Sequence, residues 1–213
     1  TANMDEYRFK IQDSIGRFIS ESAVPGAPPM RSLLKFMSPE DIADPEGTMW
    51  NYHTKDNPYN GIDDPYMTHY RMLEHTADEL FGKADNPNDK VARLEYAHYE
   101  WIRLQVETAR RNKWYCSGIL FWMYNDCWPA SGWSVLDYYG FPKAGWYAMK
   151  GRCKNIIASI EELENEYRVW VCSDLLFTAK GTIKLSIQDW TGKSLWQQDN
   201  IAFDVSENSS QIA

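Results

Sequence analysis

Cys116-Ser117-Gly118-Ile119-Leu120-Phe121-Trp122-Met123-Tyr124 is an apolar run set between turn-forming residues. Its apolar positions follow one another without alternation, the pattern of a strand buried on both faces, as in a parallel sheet. Beyond it come a loop and a helix from about Pro142 to Asn155, with proline at the start and Lys/Arg near the end. Before it, Asn86-Pro87-Asn88-Asp89 caps a longer helix running to about Arg111. Val91, Leu94, Ala97/His98, Trp101/Ile102, Gln105 and Ala109 recur along that helix at helical spacing. His98 on this stripe reads as a core histidine rather than a ligand. Further upstream a helix from about Met67 to Leu80 stops at Gly82. Asp44 to Asp64 is polar and irregular, a loop long enough to be functional or packed over something. Ser38-Pro39-Glu40-Asp41 has the form of a capped helix start, and Met30 to Met37 precedes it as another helix. Residues 15–20 (Ile-Gly-Arg-Phe-Ile-Ser) read as a second short buried strand, ending at Glu21. The order strand, long helical excursion, strand, helix is the alternation of a parallel α/β fold.

After Ile156 the pattern changes to β-branched or alternating segments at Ile156–Ile160, Tyr167–Cys172, Thr182–Asp189 and Lys193–Val205. Trp190-Thr191-Gly192-Lys193 reads as a hairpin connection. This is the opening of an antiparallel β-sandwich, and about four strands are too few to complete one. The chain is therefore expected to be a piece of a longer protein. Alternation in these strands places several of Trp170, Trp190 and Trp196 on the inward side.

Composition narrows the function. A net charge of −8 lacks the basic footprint that nucleic acid requires. No apolar run reaches membrane-spanning length, and no signal-peptide pattern opens the chain. Whether the protein is cytoplasmic or periplasmic is left open. Cys116, Cys127, Cys153 and Cys172 are scattered, with no CxxC pair and no metal-ligand spacing. They read as buried free thiols, and neither a metal nor a cofactor is expected. Ten Trp and thirteen Tyr give rings with polar tips, suited both to thick packing and to stacking on sugar rings.

Two places carry chemistry. Glu21, at a strand end before a small-residue turn, is set where the βα loops of a parallel barrel converge, and a carboxylate there can act as nucleophile, acid or base. Trp122-Met123-Tyr124-Asn125-Asp126-Cys127-Trp128-Pro129 puts an aromatic ring at a strand end, followed by an amide and a carboxylate. That sequence fits a sugar subsite, the ring of Trp122 stacking on a pyranose and Asn125 and Asp126 contacting hydroxyls. Asp126 can equally cap its own loop. His53, in Trp50-Asn51-Tyr52-His53, is a candidate subsite residue or a plain loop histidine.

Leu120 to Pro129, with Trp133-Ser134, Asp137-Tyr138-Tyr139-Gly140 and Pro142-Lys143-Ala144, resembles the eighth barrel strand and following helix of glycoside hydrolase family 2, most like its β-mannosidases. Arg17-Phe18-Ile19-Ser20-Glu21 resembles the seventh strand, whose terminal Glu is the nucleophile. Ser22-Ala23-Val24-Pro25 departs from the aromatic and glycine that usually follow, which leaves specificity open between mannose, glucosamine and galactose. The resemblance implies an α/β fold, the C-terminal portion of a (β/α)8 TIM barrel over residues 1–155, followed by a partial β-sandwich over 156–213. It implies a retaining exo-β-glycosidase acting on a β-linked oligosaccharide or glycoside, with Glu21 as nucleophile and a cis peptide after Trp122. The acid/base is expected upstream of this chain, so the chain alone is expected to be inactive and, with strand edges open, to self-associate. A noncatalytic carbohydrate-binding or structural module is the reading from another class. It predicts Trp170, Trp190 and Trp196 in an exposed row, whereas the enzyme predicts Glu21 and Trp122 side by side.

Overall fold

The computed structural model describes residues 4–54 and 68–213. A two-stranded parallel sheet pairs β1 (Ile19–Ala23) with β2 (Ile119–Trp122). Between them lie α2 (Met30–Leu33), α3 (Pro39–Ala43), α4 (Thr48–Tyr52), α5 (His69–Phe81) and the 25-residue α6 (Pro87–Arg111), and α7 (Ala144–Arg152) follows β2. An N-terminal helix, α1 (Met4–Ser14), precedes β1 and was not anticipated by the sequence reading. It packs on α6, where Tyr7 and Trp101 have ring centroids 4.0 Å apart.

Local chemistry explains the helix ends. Asn86 accepts from the Asp89 amide and Pro87 occupies the first turn of α6, where its missing N–H costs nothing. The expected stripe is the buried one: Val91, Leu94, Ala97, His98, Ile102 and Ala109 all face the interior. Ser38 and Asp41 form a reciprocal capping box at α3. Gly82 ends α5 at φ 72°, a conformation that glycine adopts without a Cβ clash. Part of the expected irregular loop is ordered instead. Trp50 of α4 is fully buried, stacks on Tyr70 at 4.9 Å and donates from Nε1 to the Ile42 carbonyl. The remainder of that loop, and Met67 as a helix start, lie outside the described residues.

Two strand expectations are corrected. β1 begins at Ile19 and continues to Ala23, because its extent is set by pairing with β2, where a bulge falls between Ile19 and Ser22. β2 is not buried on both faces: Leu120 is 54% and Trp122 51% exposed, while Phe121 packs beneath with Val24, Ile102, Val106 and Ala148. Among the described residues, helices cover one side of this sheet only.

From Ile156 the chain is antiparallel. One sheet has the order β3 (Ile156–Glu162), β4 (Tyr167–Ser173), β7 (Ser210–Ile212), and the other pairs β5 (Ala179–Gln188) with β6 (Ser194–Val205). Val171, Ala179 and Val205 form a small core in this sandwich-like part. The hairpin turn is built by Asp189, whose Oδ1 accepts from the Thr191 and Lys193 amides, with Gly192 at φ 84°. Trp196 pairs with Ile187 on the side that carries Phe203 and Val205, yet it is 44% exposed. Trp190, at the turn, is fully exposed, and Trp170 is half-buried with its Nε1 donating to Glu161. Cys116 and Cys172 are buried free thiols as expected, whereas Cys127 and Cys153 are exposed. Among the described residues no helix is long and apolar enough to cross a membrane.

Candidate active site

Alternation along β1 turns Ser22 inward and leaves Glu21 and Ala23 on the open face. Ser22 Oγ donates to Gln105 Oε1 of α6 at 2.6 Å, which fixes that orientation. Across the sheet Ser22 lies beside Phe121, and Ala23 beside Trp122. Glu21, in the middle of β1, and Trp122, the last residue of β2, therefore share one face of two neighbouring parallel strands. Glu21 is exposed, and among the described residues no hydrogen-bond or ion-pair partner engages its carboxylate. A carboxylate exposed on the same face as an indole, two residues before that indole's cross-strand neighbour Ala23, suits attack on a sugar held against the ring.

The loop after β2 returns along itself. The Met123 amide donates to the Trp133 carbonyl, Val135 to Met123, Leu136 to Tyr124 and Asp126 to Leu136. Asp137 closes the next turn, Oδ1 accepting from the Tyr139 and Phe141 amides. The peptide between Trp122 and Met123 is cis, as the resemblance implied, and so is that between Lys113 and Trp114.

The sequence-predicted residues divide. Asn125 is exposed on this loop, with Nδ2 donating to the Asp126 carbonyl. Asp126 departs from expectation: it is 2% exposed, and Oδ2 lies 2.8 Å from the ammonium of Lys143, itself fully buried. Desolvation of a carboxylate is tolerable only with such a partner, so its side chain points into the protein rather than at a ligand. Asp137 is equally buried. Neither carboxylate of the β2 loop opens onto the face that carries Glu21. His53 ends α4 half-buried, Nδ1 2.9 Å from the Pro129 carbonyl and its ring stacked on Trp128 at 5.1 Å. Its own carbonyl accepts from Ser131, so the α4 end is joined to the β2 loop. Tyr52 meets Trp128 edge-on at 6.1 Å and gives this rim an exposed ring.

Sequence reasoning missed Lys143 and Gly26. Lys143 Nζ donates to the Gly26 carbonyl at 3.1 Å and to the Gly132 carbonyl at 3.2 Å, and the Gly26 amide bonds to the same Gly132 carbonyl. A cation at the N-cap of α7 opposes the helix dipole, which was a readable sign that its charge is needed elsewhere. Gly26 had no such signal. A Cβ there would stand 2.2 Å from His98 Nδ1, a contact between residues 72 positions apart in sequence.

Residues 165–213 match the Mannosidase Ig/CBM-like domain family. Over 202 residues the chain is 25% identical to β-mannosidase B of Aspergillus flavus, covering 84% of this chain and 22% of that enzyme. Over 179 residues it is 24% identical to the exo-β-D-glucosaminidase of Hypocrea jecorina, covering 80% and 19%. Among solved structures, the β-D-mannosidase of Dictyoglomus thermophilum aligns with a TM-score of 0.80 at 23% identity, over 97% of this chain and 24% of that one. The exo-chitosanase of Amycolatopsis orientalis, in complex with PNP-β-D-glucosamine, aligns at 0.75 and 19% identity, over 92% and 23%. The chain thus spans about a fifth to a quarter of the length of these relatives. It has the fold of part of these enzymes, and its resemblance to the β-mannosidase-like members of glycoside hydrolase family 2 holds in sequence and in structure.

Proposed function

We propose that the chain contributes the last two strands of a TIM-barrel glycosidase domain (residues 1–155) and the start of a β-sandwich domain (156–213). The enzyme is a retaining exo-β-glycosidase that removes terminal β-mannosides. The observation that carries this reading is the placement of Glu21 and Trp122 on one face of adjacent parallel strands.

In this mechanism Glu21 attacks the anomeric carbon, the glycosidic oxygen leaves with a proton from a second carboxylic acid, and a covalent glycosyl-enzyme forms. The second group, at about 5–5.5 Å in a retaining enzyme, then takes a proton from water, which releases the sugar. Trp122 forms the floor of the sugar site, Asn125 contacts a hydroxyl, and His53 with Trp128 shapes the rim. The acid/base belongs to sequence upstream of Glu21 in the whole protein, so this chain by itself does not turn over substrate. Likeness to the Hypocrea jecorina and Amycolatopsis orientalis proteins makes a glucosaminide the second candidate substrate. Exposed Trp190 and Trp196 favour a carbohydrate-binding role for the sandwich-like part, but half-buried Trp170, bonded to Glu161, interrupts that row.

The test is a panel of aryl β-D-mannoside, β-D-glucosaminide and β-D-galactoside presented to the full-length protein, to Glu21→Ala and to this chain alone. The mannoside is expected to be the best substrate, with kcat lowered about 1,000-fold or more by the substitution, some 4 kcal/mol of transition-state stabilisation. Retention of kcat within tenfold in Glu21→Ala, or turnover by the isolated chain, contradicts the assignment.

A further inference from the structure

The Lys143–Asp126 pair lies beneath the strand ends, and its connections are unusual for a buried salt bridge. Among the described residues, the Lys143 ammonium donates to the carbonyls of Gly26 and Gly132 at 3.1 and 3.2 Å and forms an ion pair with Asp126 Oδ2 at 2.8 Å. Gly26 is five residues beyond Glu21, in the loop after β1. Asp126 is four residues beyond Trp122, and Gly132 belongs to the same loop after β2. The backbone amide of Lys143 donates to Val135 at 2.9 Å, so the start of α7 is tied to that loop as well. One side chain therefore holds together the two loops that follow the Glu21 and Trp122 strands. His98 packs against Gly26 and accepts from the Gly145 amide at 3.3 Å, which closes the space behind the ammonium.

Stability alone gives a weak reason to keep such a pair. Burying both charges costs several kcal/mol of desolvation, and a well-packed apolar pair of similar volume is often as stable or more so. What an apolar pair cannot do is bind two carbonyls from different loops at one point. Resting on the reading of Glu21 as nucleophile, we propose that Lys143 is a positioning residue, its buried ammonium clamping the β1 loop to the β2 loop and so fixing the spacing between Glu21 and Trp122. Asp126 supports this clamp from inside the protein, which gives the buried carboxylate a role without contact to sugar.

The experiment uses the full-length protein carrying Lys143→Met with Asp126→Leu, which removes both charges together and takes the ammonium from the Gly26 and Gly132 carbonyls. Lys143→Gln with Asp126→Asn is the second variant: neutral, hydrogen-bonding and one bond shorter at position 143, so it tests the clamp if the apolar pair does not fold. With misplacement of about 1 Å costing on the order of 100-fold, kcat on the aryl glycoside is expected to fall about 100-fold. KM should stay within about threefold, and exchange of the Gly26 amide, bonded to Gly132, should quicken at least about tenfold. A folded variant with kcat within threefold of the parent and unchanged Gly26 exchange overturns the proposal. Should the parent protein turn over none of the panel, the glycosidase reading fails and the clamp is judged by Gly26 exchange alone. Faster exchange then upholds it and unchanged exchange refutes it.

Discussion

At His98 the imidazole fills space that two glycines leave open. A Cβ on Gly26 would come within 2.2 Å of Nδ1, and one on Gly145 within 2.6 Å of Nε2. Burial, and then the charge of Lys143, lowers the pKa of this ring from 6.5 to about 3. Between those values the unfolded chain binds a proton that the folded one refuses, so stability rises with pH across that window. The contribution is fully present above pH 6.5 and is lost, at about 1.4 kcal/mol per unit, as pH falls toward 3. Urea denaturation is therefore expected to show His98 costing the protein about 2–3 kcal/mol on going from pH 7 to 5 or just below. His98→Gln should lack that component, and an identical pH slope in both proteins contradicts it. Part of this chemistry was readable from sequence: His98 stood on the apolar stripe of a helix and Trp122 at a strand end, whereas Glu21, read as a strand end, lies in the middle of β1. The Asp126–Lys143 pair was not readable, since it forms across a turned-back loop and depends on which way each side chain points.

α6 organises the elements around it. Its N-terminal half meets α5, its middle backs β1 through Gln105 and Ser22, and its last turn reaches the sandwich-like part. Arg110 donates to the carbonyls of Arg152 and Lys154 at 2.6 Å, to that of Asn155 and to the Asp174 carboxylate, serving the exposed end of α7 and the β4–β5 loop together. Lys113 adds bonds to Ser173, Asp174 and Asn208. Glu107 is buried between Arg103, Arg111 and Arg152, which balances the cationic end of the helix. Replacing Arg110 with Met strands several acceptors at once and is expected to lower unfolding free energy by about 2–4 kcal/mol, measured by Trp fluorescence in denaturant. A loss under about 0.5 kcal/mol would show that the junction does not depend on it. Elements with local determinants were legible: α6 from its cap and stripe, the Trp190–Lys193 turn from its residue types. α4 was hidden in polar sequence because one buried indole, Trp50, anchors it. The extent of β1 was hidden because pairing with a strand about 100 residues away defines it.

On the scale of the molecule, the described helices cover one side of the β1–β2 sheet, and Glu21, Leu120 and Trp122 are exposed on the other. The unbroken apolar run of β2 predicts burial on both faces, whereas the described residues bury one. The same holds for Trp196, on the core side of β6 yet uncovered. In the proposed enzyme the open face of β1 and β2 is the wall of the catalytic centre, and Glu21 is its reacting atom carrier. The most direct measurement is to treat the full-length protein with a 2-deoxy-2-fluoro β-mannosyl fluoride and map the modified peptide by mass spectrometry. A retaining mechanism with this nucleophile predicts stoichiometric, time-dependent inactivation, with the fluorosugar esterified to Glu21. Modification of a different carboxylate in an enzyme that turns over the aryl mannoside would contradict it.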